Sequence, residues 1–175
     1  MSGMLEGKVA VVTGAAGGIG RATALRFVAD GASVGLVDLA GPALDAVLTA
    51  VMALGGSAVA VPADVTRADE VERYAATVAR DLGGVDILFN NAGILGPPLP
   101  LIDYPEDAFD RVLAVNLKGV WLGMKAVAPY MRARGGGAIV NTSSRLGLRA
   151  APTQVAYGAI KHAVIGMTRT AAAEL

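Results

Sequence analysis

The chain has 175 residues, 54% of them hydrophobic, with 15 basic and 15 acidic side chains and no cysteine. That length is one domain's worth and buries a sizeable core. Balanced charge leaves no electrostatic footprint for nucleic acid or an anionic membrane, and the lack of thiols excludes disulfides, thiolate nucleophiles and cysteine-ligated zinc.

In chain order, the opening Met1–Lys8 lacks the basic flank and apolar stretch of a signal peptide, which fits a reducing, cytoplasmic setting. Short Val/Ile/Leu-rich runs follow at Lys8–Thr13, Ser33–Asp38, Ala58–Pro62, Val85–Asn90 and Ala138–Thr142. They are nearly continuous in apolar residues, which predicts strands buried on both faces. Helical patterns lie between them at Ile19–Asp30, Pro42–Leu54, Arg67–Leu82 and, as one long segment, Pro105–Arg134; a last helix begins near Pro152. Gly31, Gly55, Gly83 and Gly135 read as stop signals, and Asp103 with Glu106 reads as a capping box opening the long helix. The greasiest region, Ala46–Val61, is broken by Thr49, Gly55, Gly56 and Ser57, so no membrane span is expected. Strands alternating with helices predict right-handed βαβ units in an α/β fold, a doubly wound parallel sheet. No repeat or linker interrupts it, so residues 1–175 are expected to form a single domain.

Chemistry concentrates at three places. The first strand ends in Thr13-Gly14-Ala15-Ala16-Gly17-Gly18-Ile19-Gly20 and runs straight into a helix. Glycines let the backbone turn tightly against a pyrophosphate, and the helix N-terminus attracts its charge. Asp38 closes the second strand, where a carboxylate accepts hydrogen bonds from the adenosine ribose and repels a 2′-phosphate. No Lys or Arg occupies positions 15 to 17, so NAD is expected over NADP. Ser143 and Ser144 follow the fifth strand, Ser144 thirteen residues before Tyr157, and Lys161 falls one turn after the tyrosine on the same helix face. Tyrosine alone titrates near pH ~10; a lysine ammonium and an oxidised nicotinamide ring both favour its phenolate. A serine that holds a carbonyl oxygen and a tyrosine that exchanges its proton make a metal-free acid–base pair. Asn116 adds a polar side chain on the apolar stripe Phe109, Val112, Leu113, Leu117, Val120, where it is expected to bend the helix and to seat a water leading to Lys161.

Together, Thr13–Gly20, Asp64-Val65, Asn90-Asn91-Ala92-Gly93, Asn116, Ser144 and Tyr157–Lys161 resemble the short-chain dehydrogenase/reductase family over essentially the whole chain. The resemblance implies a Rossmann-like fold with Gly14, Gly18, Ile19, Gly20 and Asp38 on the cofactor and Asp64 and Val65 at the adenine. It implies that Asn90 to Gly93 close the cofactor cleft and brace the central strand, with Asn91, Ala92, Gly93, Tyr157 and Lys161 also holding the cofactor. Asn116, Ser144, Tyr157 and Lys161 become the catalytic tetrad of an oxidoreductase that moves hydride between NAD(H) and a secondary alcohol or ketone. The alternative is a non-catalytic dinucleotide-binding or sensor protein. The family also implies a homo-oligomer, dimer or tetramer, joined through the long helix and the Tyr157 helix. Family members continue past this point with further strands and a loop over nicotinamide and substrate. The chain is therefore expected to lack the C-terminal strands, leaving the Ile94–Leu101 and Arg145–Pro152 loops to line the pocket. Arg145 and Arg149 there are candidates for an acidic substrate or are simply solvated; His162 is expected to pack or lie at the surface, and Trp121 and Met124 to sit in the core or at a subunit contact rather than in the substrate pocket.

Overall fold

The computed structural model describes residues 3–175; Met1 and Ser2, the start of the segment read as free of a leader, lie outside the described residues. Five parallel strands, β1 (Val9–Thr13), β2 (Ser33–Asp38), β3 (Ala58–Pro62), β4 (Ile87–Asn90) and β5 (Ala138–Asn141), form one sheet in the order β3-β2-β1-β4-β5. Each strand begins and ends within two residues of its expected place. The chain winds outward from β1 to β3, then crosses back to lay β4 on the other side of β1. That reversal opens a crevice beyond the carboxyl ends of β1 and β4, where such sheets bind ligands.

Alternation along the strands sorts the core into two faces. Val12, Val34 and Leu36 pack under α1 (Gly18–Ala29) and α2 (Pro42–Ala53) through Ala24, Val28, Leu44 and Val47. Val11, Val37 and Leu88 pack under α3 (Ala68–Leu82) and α5 (Gly119–Ala133) through Val71, Tyr74, Val78, Val120 and Val127. Gly83 ends α3 in the left-handed region at φ 88°, and Gly31, Gly55 and Gly135 follow their helices at positive φ as well. No helix among the described residues is long and apolar enough to cross a membrane.

Three expectations need correction. The long helix is not continuous: α4 (Glu106–Leu113) passes into a π-helical turn, Ala114–Lys118, before α5 resumes. The capping box does not form, because Pro105 holds Tyr104 in an extended conformation (φ −77°, ψ 119°), and the helix starts only beyond it. Asp103 instead belongs to a 3-10 turn, Leu101–Asp103. Finally, β5 is not buried on both faces; it is the edge strand, and Val140 is 52% exposed.

Candidate active site

At the crevice, Gly14 has φ +67°, and a side chain there would come within 2.9 Å of the Ala92 backbone and the Asn91 amide. The turn therefore lies directly on the segment after β4. A side chain at Gly20 would run into the Gly14 carbonyl, so the first turn of α1 seats on the same loop. Gly18 faces open space, and no side chain caps α1. Its first N–H groups thus remain available to an anion. Asp38 is held by two backbone donors, the Ala16 N–H at 2.8 Å and the Leu39 N–H at 2.8 Å. The carboxylate is fixed beneath the glycine turn rather than capping α2.

A cleft of ≈ 420 Å³ runs over this floor. Gly14, Gly18, Ile19, Asp38, Asp64, Val65, Asn91, Ala92 and Gly93 all line it. Gly20, Asn116, Ser144, Tyr157 and Lys161 do not; Gly20 packs below, Asn116 bonds to Ile94 of the lining, and the other three lie on later elements of the chain. Asp64 is oriented by a local turn, accepting from the Thr66 N–H at 2.9 Å, while its own N–H donates to Glu70 at 2.8 Å. Asn90, buried, donates to the Val120 carbonyl at 3.1 Å and to Asn141 at 2.9 Å, tying β4 to α5 and β5.

Asn116 is fully buried within the π-helical turn. Its Oδ1 accepts from the Ile94 N–H at 2.8 Å and its Nδ2 donates to the Ile94 carbonyl at 2.7 Å. This reciprocal pair pins the loop after Gly93 to the helix. The expected irregularity is thus present, and the amide is engaged by backbone on both of its polar atoms.

The two serines have different partners. Ser143 Oγ donates to the Lys161 carbonyl at 2.9 Å, a bond that holds α6 (Val155–Glu174) against the loop. Ser144 Oγ accepts from the Leu146 N–H at 3.2 Å, so its own hydroxyl hydrogen stays free to donate. Lys161 is only 3% exposed; its Nζ donates to the Thr142 carbonyl at 2.6 Å and lies 5.6 Å from the centre of the Tyr157 ring. Burial pushes its ammonium below the usual lysine range. His162 turns away, its Nδ1 2.9 Å from the Gly158 carbonyl on the exposed side of α6. Trp121 is 46% exposed and Met124 is buried.

The sequence named Thr13 and Ser143 without these supporting roles and did not single out Thr142 or Glu70. Thr13 Oγ1 accepts from the N–H groups of Asn91 (3.0 Å) and Ala92 (3.1 Å), clamping the first turn to the segment after β4. Thr142, Ser143 and Glu70 play similar supporting parts for Lys161, α6 and Asp64. Their only signal was a polar residue at a strand's end or a helix's start.

A glycine turn over a fixed carboxylate, in a chain that also sets a buried lysine against a half-buried tyrosine, is the arrangement of a nicotinamide-dinucleotide fold. The chain belongs to the short-chain dehydrogenase family: the family model described as "short chain dehydrogenase" matches residues 8–175. It is 40% identical over 169 residues to levodione reductase of Leifsonia aquatica, covering 95% of this chain and 63% of that protein. It is 42% identical over 171 residues to a 3-oxoacyl-[acyl-carrier-protein] reductase of Thermotoga maritima, covering 98% and 69%. Among solved structures, NAD+-bound xylitol dehydrogenase superposes with a TM-score of 0.95 at 42% identity, over 98% of this chain and 66% of that one. The chain thus spans about two thirds of the length of the relatives it matches.

Proposed function

We propose that this protein is an oxidoreductase that moves hydride between NAD(H) and a secondary alcohol or ketone, with Tyr157 as the general acid/base. The observation that carries the reading is the buried Lys161 ammonium, without a carboxylate partner and 5.6 Å from the Tyr157 ring. A buried ammonium there keeps positive charge close to the group that exchanges the proton. The free hydroxyl hydrogen of Ser144 holds the substrate oxygen, and Tyr157 gives that oxygen a proton in reduction or removes it in oxidation. Asn116, through Ile94, fixes the loop on the opposite side. When bound, the dinucleotide supplies or accepts the hydride. Gly14, Gly18, Ile19 and the uncapped start of α1 fit its pyrophosphate, Asp64 and Val65 its adenine, and Asn91 to Gly93 its cleft wall.

NAD is favoured over NADP because Asp38 is fixed by Ala16 and Leu39 and cannot swing aside, and no cation lies in the loop to receive a 2′-phosphate. A similar protein, xylitol dehydrogenase, was solved with NAD+ bound. We further assign the residues to one dinucleotide-binding and catalytic domain of a cytoplasmic homo-oligomer, dimer or tetramer. The exposed Trp121 side of α5 and the neighbouring face of α6 supply its contact. Steady-state turnover of an alcohol and ketone panel by the full-length polypeptide tests the reading. The expected result is higher kcat/KM with NAD(H) than with NADP(H), and a loss of about 10²–10⁴-fold in Tyr157→Phe with cofactor affinity retained. Wild-type preference for NADP(H), or an active Tyr157→Phe, would reject it.

A further inference from the structure

The zero net charge conceals a polarity along the chain. Residues 1–110 carry fourteen acidic and six basic side chains; residues 111–175 carry nine basic ones and a single acid, Glu174. The site straddles the divide. Asp38 and Asp64 line the cofactor cleft, whereas Ser144, Tyr157 and Lys161 all belong to the basic part.

Within that part, Arg145 and Arg149 stand on the loop that begins at the Ser144 hydroxyl. The Arg149 N–H donates to the Arg145 carbonyl at 3.1 Å, so both side chains leave from one turn. The turn is pressed on α6: a Cβ added at Gly147 would come 2.8 Å from the Lys161 carbonyl. Arg26, Arg67, Arg80 and Arg111 each close on a neighbouring carboxylate. Arg145 and Arg149 are exposed and form no such pair among the described residues. Two like charges on one turn repel, and an anion between them relieves the repulsion while accepting planar, two-pronged donors. Exposed apolar side chains also mark the two loops expected to line the pocket: Leu148 is 73% exposed, and Leu95 and Leu101 are 61% and 70% exposed.

We infer that the site takes an alcohol or ketone bearing an anionic group a short chain away from the reacting carbon, held by Arg145 and Arg149 on the turn that begins at Ser144. This rests on the oxidoreductase reading above and names its substrate class. The test compares kcat/KM of the full-length, cofactor-loaded enzyme on matched pairs: acetoacetate and its methyl ester, levulinate and its methyl ester, dihydroxyacetone phosphate and dihydroxyacetone. At least one anion is expected to lead its neutral partner by about ten- to a hundredfold. That lead should shrink with added salt and collapse towards parity in Arg145→Gln/Arg149→Gln. Whether the carboxylates or the phosphate lead tells which anion the loop prefers. Calorimetric binding of the same anions to cofactor-loaded Tyr157→Phe protein gives a readout without turnover. Parity of every pair in the wild type, or a lead that survives in the double variant, overturns the inference. Anion binding retained without hydride transfer to any ketone overturns the oxidoreductase reading instead.

Discussion

The two ends of the parallel strands are built differently. Where the strands begin, Asp86 is 6% exposed and fully engaged. Its carboxylate accepts the Val9 N–H at 2.8 Å and both Nε and Nη2 of Arg134 at 3.0 Å, and Arg134 also donates to the Gly83 carbonyl at 3.1 Å. This one knot ties β1, the start of β4 and the end of α5. Where the strands finish, groups are left short. Among the described residues, helix α1 has no side-chain cap, Lys161 has one hydrogen bond and no counter-ion, and the buried Thr142 hydroxyl has no partner. Thr153 holds φ +63°, rare for a β-branched residue. Strand direction thus separates a satisfied end, which stabilises the fold, from an end where donors, charge and strain are left uncompensated, the end to which the proposed function assigns the ligand.

The sharpest way to break this comparison is Asp86→Asn. Burial alone would raise the Asp86 pKa, but the Arg134 hydrogen bonds, the Val9 N–H and the nearby cations Arg134 and Lys8 outweigh it and hold the carboxyl below the usual range. A depressed folded-state pKa contributes stability that is present above the unfolded value, about 3.9, and is lost as pH falls through the folded value. The substitution is expected to cost about 3 kcal/mol near neutral pH, with the gap to wild type closing on acidification below about pH 4. Urea denaturation at both pH values checks it. A variant as stable as wild type would mean that the satisfied end is not what holds the sheet.

Much of this division was legible in the sequence. Continuous apolar runs located all five strands, and glycines ended the helices where expected. The glycine turn, Asp38 and the Ser144–Tyr157–Lys161 spacing pointed to the right end of the sheet, because backbone turns and one-turn helix spacings are local. What was not legible depended on distant partners. The π-helical turn at Asn116 follows from the Ile94 backbone, 22 residues away, and Thr13 acts on Asn91 and Ala92 more than 70 residues later. The Asp103–Glu106 pattern misled because a proline between them overrode a capping preference. The exposure of β5 could not be read from composition, since an edge strand and a central one share the same apolar residues.

A smaller effect sharpens the other side of the comparison. Thr153 sits four residues before Tyr157, in the short approach to α6, and its left-handed conformation brings its Cβ against the backbone. Glycine adopts that conformation without strain but loses more entropy on folding, so the two effects partly offset. Thr153→Gly is expected to stabilise the protein by about 1 kcal/mol, near the lower limit for a strained β-branched residue. Thermal unfolding reads this directly. A fall in stability would show that contacts of the threonine side chain, not strain, govern the approach to α6.

The smallest expected effect concerns Lys161 itself and depends on pH. Burial lowers its folded-state pKa from the ordinary 10.5, so the unfolded chain binds the proton more tightly than the folded one. The sign follows from linkage: where the unfolded state carries more protons, stability rises with pH. Below the lowered folded-state value the cost of burying the ammonium is present in full, and it is relieved as pH climbs from there towards 10.5. Lys161→Met removes the titration but keeps an unbranched apolar stem of similar length, so the stability of the lysine protein relative to it should improve steadily on alkalinisation. Both proteins should carry Tyr157→Phe, so that the neighbouring phenol contributes nothing to the difference. Denaturant melts from neutral pH to about pH 10 would display the trend. A flat difference would mean that water reaches the ammonium freely, and would remove the desolvated cation on which the acid–base role proposed for Tyr157 rests.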